Sequence, residues 1–173
     1  DPGVELNSAN MTVSNLEINS DTATDDFEIK GGTTFTVTGN LSILNGDLEV
    51  AQTGQGAATL IVQGNLTIND QLELVVADCV IEVGGNWTQV GLFDASVNSI
   101  VRFNGSTAQT VDMEASTVNT DFEYLEIYNS AGVLFLDNSI GDFEVDENFT
   151  VLANGSVTIQ DAVCHIGSGT DTF

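Results

Sequence analysis

An all-β parallel β-helix, with three short strands in each rung of about 21–25 residues, is the fold class this sequence predicts. The first observation behind it is a phrase that returns along the chain: Gly39-Asn40-Leu41-Ser42-Ile43, Gly64-Asn65-Leu66-Thr67-Ile68, Gly85-Asn86-Trp87-Thr88 and Glu147-Asn148-Phe149-Thr150-Val151. Successive copies of its Gly are first 25 and then 21 residues apart. The second is apolar-polar alternation of period two, with no 3.6-residue apolar stripe. The third is the punctuation: Asn-Gly, Gly-Gly and Asp-containing turns separate runs of roughly three to six residues.

The elements follow in order. Val4-Glu5-Leu6 and Met11-Thr12-Val13 open the chain with strand-like text. Phe35, Val37, Leu41, Ile43, Leu48 and Val50 are the inward positions of one coil. Leu60, Val62, Leu66, Ile68, Leu72 and Leu74 are those of the next, and Ile81, Val83 and Trp87 begin a third. Thr34, Thr36, Ser42, Glu49, Thr67, Glu73, Glu82 and Thr88 point outward. Each strand should pair with its copy one rung later, about 4.8 Å along the axis. Leu41, Leu66 and Trp87 would then stack as one internal ladder, and Val37, Val62 and Val83 as another. Stability becomes a sum over rungs and their neighbours.

A longer period is superimposed. Asn15-Leu16-Glu17-Ile18 matches Tyr124-Leu125-Glu126-Ile127 at an offset of 109, and Asn45-Gly46-Asp47-Leu48-Glu49-Val50 returns at the same offset as Asn154-Gly155-Ser156-Val157-Thr158-Ile159. This reads as one solenoid domain over residues 1–173, made of a superunit of about 109 residues and a second copy incomplete from about 120. Val4, Leu6 and Val13 at one end, and Ile166 and Phe173 at the other, are the expected assembly ends. Strand edges left open there would pair with any similar rung, in a neighbouring repeat of a longer chain or in another copy.

Composition narrows the function. The 173 residues carry 26 acidic side chains against only Lys30 and Arg102, a net charge of −24. Such a surface lacks the cations that neutralise phosphates, so nucleic acid and anionic membranes are poor partners. It attracts divalent cations instead. No apolar run reaches 18 residues, so no helix is expected to insert into a membrane. Cys79 and Cys164 fall at inward positions and set no disulfide framework.

From about residue 60 to 160 the order of phrases is itself informative. Gly64-Asn65-Leu66-Thr67-Ile68 leads to Val83-Gly84-Gly85-Asn86-Trp87-Thr88, then to Phe103-Asn104-Gly105-Ser106-Thr107-Ala108-Gln109-Thr110-Val111 and Tyr124-Leu125-Glu126-Ile127-Tyr128. This resembles the β-solenoid repeat regions of large secreted, adhesin-like surface proteins of Bacteroidota-type bacteria. The resemblance implies a secreted, cell-surface location and a role in adhesion or assembly. It brings no catalytic residues.

Seven Asn-x-Ser/Thr triplets occur. Asn40, Asn65, Asn86 and Asn148 share one repeat position, where stacked amides can satisfy unpaired backbone groups; they are the expected structural ladder. Asn10, Asn104 and Asn154 are candidate N-glycosylation sites. Thr22, in Asp21-Thr22-Ala23, resembles a Bacteroidota O-glycosylation motif. The acidic groups Asp21/Asp25/Asp26 and Asp142/Glu144/Asp146/Glu147 are candidate Ca²⁺ ligands, an ion that takes about six to eight oxygens; no other cofactor is expected. His165 alternates outward, and one His with two distant Cys assembles neither a triad nor a zinc site. No enzymatic activity is expected. The leading expectation is a structural subunit or stalk segment of an extracellular fibre that assembles end to end. An adhesin module binding carbohydrate or another cell surface is the alternative, and a polysaccharide-active β-helix enzyme a remote one.

Overall fold

A computed structural model describes residues 4–6, 8, 10–21, 26–113, 120–136, 143–152, 154–160 and 164–167, the side chains of Phe143, Cys164 and His165 excepted. Among these residues there is no helix. Twenty strands form three parallel sheets that wind into a β-solenoid of about six turns. The five-stranded sheet holds β1 (Val4–Leu6), β4 (Asp26–Ile29), β7 (Asp47–Val50), β10 (Gln71–Leu74) and β13 (Leu92–Ala95), in that order. The eight-stranded sheet runs β2 (Asn10–Val13), β5 (Thr34–Val37), β8 (Thr59–Val62), β11 (Val80–Val83), β14 (Ile100–Phe103), β16 (Thr120–Ile127), β18 (Phe143–Val151) and β20 (Cys164–Ile166). The seven-stranded sheet runs β3 (Leu16–Asn19), β6 (Leu41–Asn45), β9 (Leu66–Ile68), β12 (Trp87–Gln89), β15 (Gln109–Asp112), β17 (Val133–Leu136) and β19 (Val157–Gln160).

Alternation decides which residues face inward. In β5, β7, β8, β10 and β11 every second side chain is buried, and the outward partner is half-exposed. Register then stacks like on like. Leu41, Leu66 and Trp87 lie one above the next, continued by Val111. Val37, Val62, Val83 and Phe103 form a second column. These columns merge into one contiguous apolar core running the length of the stack.

The last rungs depart from this plan. In the first five, a corner separates each strand of the five-stranded sheet from the next strand of the eight-stranded one. In β16 and β18 the chain runs straight through that corner as a single long strand, with a register shift between Phe122 and Tyr124. The start of β16 packs beside β13, so one strand covers two faces.

The residues matched at the 109-residue offset lie on different faces. Leu16 lies in β3 of the seven-stranded sheet, whereas its match Leu125 lies in β16 of the eight-stranded sheet. Leu48 belongs to the five-stranded sheet and Val157 to the seven-stranded one. Strand-turn text with the same alternation fits any face of the solenoid. Four rungs from Leu16 lead to Val111 and five to Phe135, so an offset of 109 falls between whole turns.

Candidate functional site

Three surface features gather the polar side chains. The first lies at the corner between the eight- and seven-stranded sheets. There the Asn15 Oδ1 accepts the Asn40 N–H at 2.8 Å, Asn40 Oδ1 accepts that of Asn65 at 2.9 Å, and Asn65 Oδ1 that of Asn86 at 2.9 Å. Asn86 Oδ1 accepts the N–H of Thr110, also at 2.9 Å. Each side chain thus closes a backbone donor that the turn leaves open. The preceding glycines permit the close stacking: a Cβ at Gly64 would lie 2.5 Å from the Gly39 carbonyl oxygen, and one at Gly85 equally close to that of Gly64.

Asn15 belongs to this ladder although its Ser-Asn-Leu setting lacks the Gly of the recurring phrase. Asn148 does not belong. It sits in β18 beside Tyr124, on the outer face of the eight-stranded sheet, and its buried Oδ1 has no hydrogen-bond partner. The Glu147-Asn148-Phe149-Thr150 text imitates the corner phrase, but here the strand continues through it.

Where the Asn ladder stops, a buried pair replaces it. Gln109 Nε2 donates to the carbonyls of Val83 and Gly85, and its Oε1 accepts from the Gly105 N–H and from Asn129 Nδ2. Asn129 also donates to the Thr107 carbonyl and accepts the Ala131 N–H. Nearby, buried Gln89 accepts from Trp87 Nε1 at 3.1 Å and donates to Thr120 Oγ1 at 2.8 Å.

The second feature is the outer face of the five-stranded sheet. Register places Glu5, Glu28, Glu49, Glu73 and Asp94 in one column. Asp26 and Asp47 stand in the adjacent column, followed by Gln71 and Leu92. Carboxylate oxygens of Asp26, Glu28 and Glu49 all lie within 4.8 Å of one another, a spacing compatible with a shared cation. Burial first, then the charges of Asp70, Asp26 and Glu73, push the Asp47 carboxyl up to about 6. Glu28, Glu49 and Glu73 are raised for the same reasons, partial burial leading. Lys30 reaches this face only at its end, 3.8 Å from Glu5.

Of the expected Ca²⁺ ligands, only Asp26 lies in this group. Asp21 is exposed at a bend one corner earlier. Glu144 is register-paired with Asp121, whose carboxyl is raised by burial and by Asp146 and Glu144. Glu147 lies near the register shift in β18, and Asp25 and Asp142 fall outside the described residues. Glu28, Glu49, Asp47 and Glu73 are the members sequence reasoning missed. Their signal was there: they recur at rung spacing on outward positions, not as neighbours in sequence.

The third feature is an ion-pair stack on the outer face of the eight-stranded sheet. Arg102 stands between Glu82 at 2.6 Å and Glu126 at 2.7 Å, one from each adjacent rung. Its guanidinium lies 4.9 Å from the ring centroid of Tyr128, and Asn104 Nδ2 donates to the other Glu82 oxygen at 3.0 Å.

Asn10, Asn104 and Asn154 are exposed, whereas Thr22 is outside the described residues. Of the expected assembly residues, Val4 is 60 % exposed, Leu6, Val13 and Ile166 are partly buried, and Phe173 is outside the described residues. Cys79 is a buried free thiol; the side chains of Cys164 and His165 are outside the description. Among the described residues no helix is long and apolar enough to cross a membrane.

Compared with known proteins, the chain matches no family model, no curated protein sequence and no solved structure.

Proposed function

We propose that this chain is a structural spacer: a rung stack that forms a stalk segment of a secreted surface protein or fibre, without catalysis of its own. One observation carries the reading. All three sheets are parallel, and the eight- and seven-stranded ones continue past the end of the five-stranded sheet at β13 into the last described rungs, so length along the axis is the property the fold builds. A stack of this kind extends by adding rungs, from a continuation of the chain or from another copy, through the same backbone pairing that joins its own rungs. The acidic outer faces favour this arrangement. Stacks sharing a net charge of −24 repel one another sideways while pairing at strand edges stays available. The resemblance to repeat regions of Bacteroidota-type surface proteins supports a secreted, cell-surface setting.

Electron microscopy together with sedimentation at rising protein concentration tests the reading. Rods that lengthen with concentration are expected if copies stack end to end. Monodisperse monomers at all concentrations, with and without Ca²⁺, sink end-to-end assembly of this chain but leave a spacer within a longer one. Particles with no elongated axis sink both.

A further inference from the structure

We infer that the outer face of the eight-stranded sheet carries a binding site for a neutral oligosaccharide lying along the solenoid axis, a role beyond that of a spacer. One residue past the register-paired Val62, Val83, Phe103 and Ile127 stand Gln63, Gly84, Asn104 and Tyr128, in successive rungs. Gly84 contributes no side chain between its neighbours, and there the surface sinks into an open depression of about 450 Å³. Gln63, Asn104 and Ser106 line it with exposed amide and hydroxyl groups. Tyr128 stands in the rung beyond Asn104, 47 % exposed, with the Arg102 guanidinium against its ring.

The chemistry of these groups selects the ligand. An anion is disfavoured by the net charge of −24, and the cation beside the site, Arg102, is already held by Glu82 and Glu126. A metal ion is disfavoured because both Glu82 oxygens are engaged, one by Arg102 and one by Asn104. A peptide cannot add a strand, since the N–H groups of Gly84, Asn104 and Tyr128 already donate to Val62, Val83 and Phe103. What remains is a ligand that takes hydrogen bonds from neutral amides and hydroxyls and presents an apolar ring face to a tyrosine: a sugar. From Gly84 to Tyr128 is two rung steps of ~4.8 Å each, room for more than one hexose unit along the axis. The site also sits on strands, with its charged members clamped, so little is lost in ordering it.

The test is calorimetric titration of the intact chain, in EDTA, with neutral tetra- to hexasaccharides of the cello, xylo, manno and malto series. A uronic acid oligomer, with and without Ca²⁺, serves as the anionic control. Saturable binding of at least one neutral series is expected. Tyr128→Ala should weaken it about tenfold, Gln63→Ala should weaken it less, and Tyr128→Phe should retain it, all with unchanged melting curves. The inference is overturned if no neutral series binds, if Tyr128→Ala binds as well as the parent, or if only the uronic acid oligomer binds. None of these outcomes bears on the spacer reading, which does not use this face.

Discussion

Between Val4 and Gln89 each rung has three separate strands, an interior mainly of Leu, Ile and Val in which Phe35 is the one buried ring before Trp87 among the described residues, and a corner closed by one exposed Asn. From Thr120 onward the described rungs have two runs in place of three, one long (β16, β18) and one of four residues (β17, β19). From Trp87 on, a cluster of rings joins the aliphatic side chains of the interior: Trp87 touches Phe93, Phe103 and Phe122 edge-on at 5.1–6.1 Å, and Phe103 touches Phe135 at 5.9 Å. The corner is closed there by the buried Gln109–Asn129 pair. When a strand runs through a corner the cross-section changes shape, and large flat rings fill a space that stacked Leu and Val would leave with voids. A repeated device such as the Asn ladder works only while the corner repeats. Where the turn lengthens, at Asn104–Ala108, a longer amide reaching into the interior takes over.

The comparison can be broken most severely at its junction. Trp87→Ala removes the ring that joins the aliphatic column to the aromatic cluster and should cost about 3–5 kcal/mol. Urea unfolding followed by far-ultraviolet circular dichroism is expected to split into two transitions, one for each half. A single transition at an unchanged midpoint would show that the halves do not meet through this residue.

Next come the two corner devices. Gln109→Leu leaves the Gly105 N–H and the Val83 and Gly85 carbonyls to find other partners in a buried setting, at about 2–3 kcal/mol. Asn65→Ala releases one N–H at an exposed corner that water can reach, at about 1 kcal/mol. Equal losses in urea midpoint would contradict the contrast between the buried and the exposed corner. Asn129→Leu combined with Gln109→Leu should cost less than the sum of the two, because the residues share a hydrogen bond.

The acidic face of the first rungs gives a smaller and oppositely signed effect. A carboxyl whose folded pKa is raised binds its proton more tightly in the folded than in the unfolded chain. For Asp47 that holds between its ordinary value of 3.8 and about 6, so stability grows as the pH falls through this window and is lost as the pH rises through 6. Glu28, Glu49 and Glu73 add in the same direction. The melting temperature should rise by about 2–3 °C between pH 7 and pH 5, and Asp47→Asn should remove part of that rise. The least effect is expected at Asp78, exposed in a turn with φ of 65°. Asp78→Gly should stabilise by about 0.5 kcal/mol, read as a small gain in melting temperature.

Much of this fold was legible because inward and outward alternation is written residue by residue. Phe35, Val37, Leu41, Ile43, Leu48 and Val50 need no partner to declare their side of the strand, and the recurring Gly-Asn phrase declares the corner. What could not be read locally is which face a strand joins. Asn148 carries the right neighbours and sits on the wrong face, because its phrase lies inside β18, register-paired with Tyr124, and not at the turn into the seven-stranded sheet. The acidic column was hidden for a related reason. Glu28, Glu49 and Glu73 come together across rungs, whereas a linear pattern brings forward carboxylates adjacent in sequence, such as Asp25 and Asp26. Nothing local in the sequence marks Gln109 and Asn129 as buried, because only the three-dimensional path turns their amides inward.

The ladder contacts recur after 25, 25, 21 and 24 residues, and this regularity has a mechanical meaning. Backbone hydrogen bonds in such a stack point along its axis, so tension along the axis loads one rung boundary at a time and does not shear all of them together. A rung of 21 residues that peels away gives up a contour of roughly 70 Å when drawn out, while the remaining rungs keep their pairing. Pulled between its ends, the chain would lengthen in near-equal steps, absorbing load as a sequence of small failures.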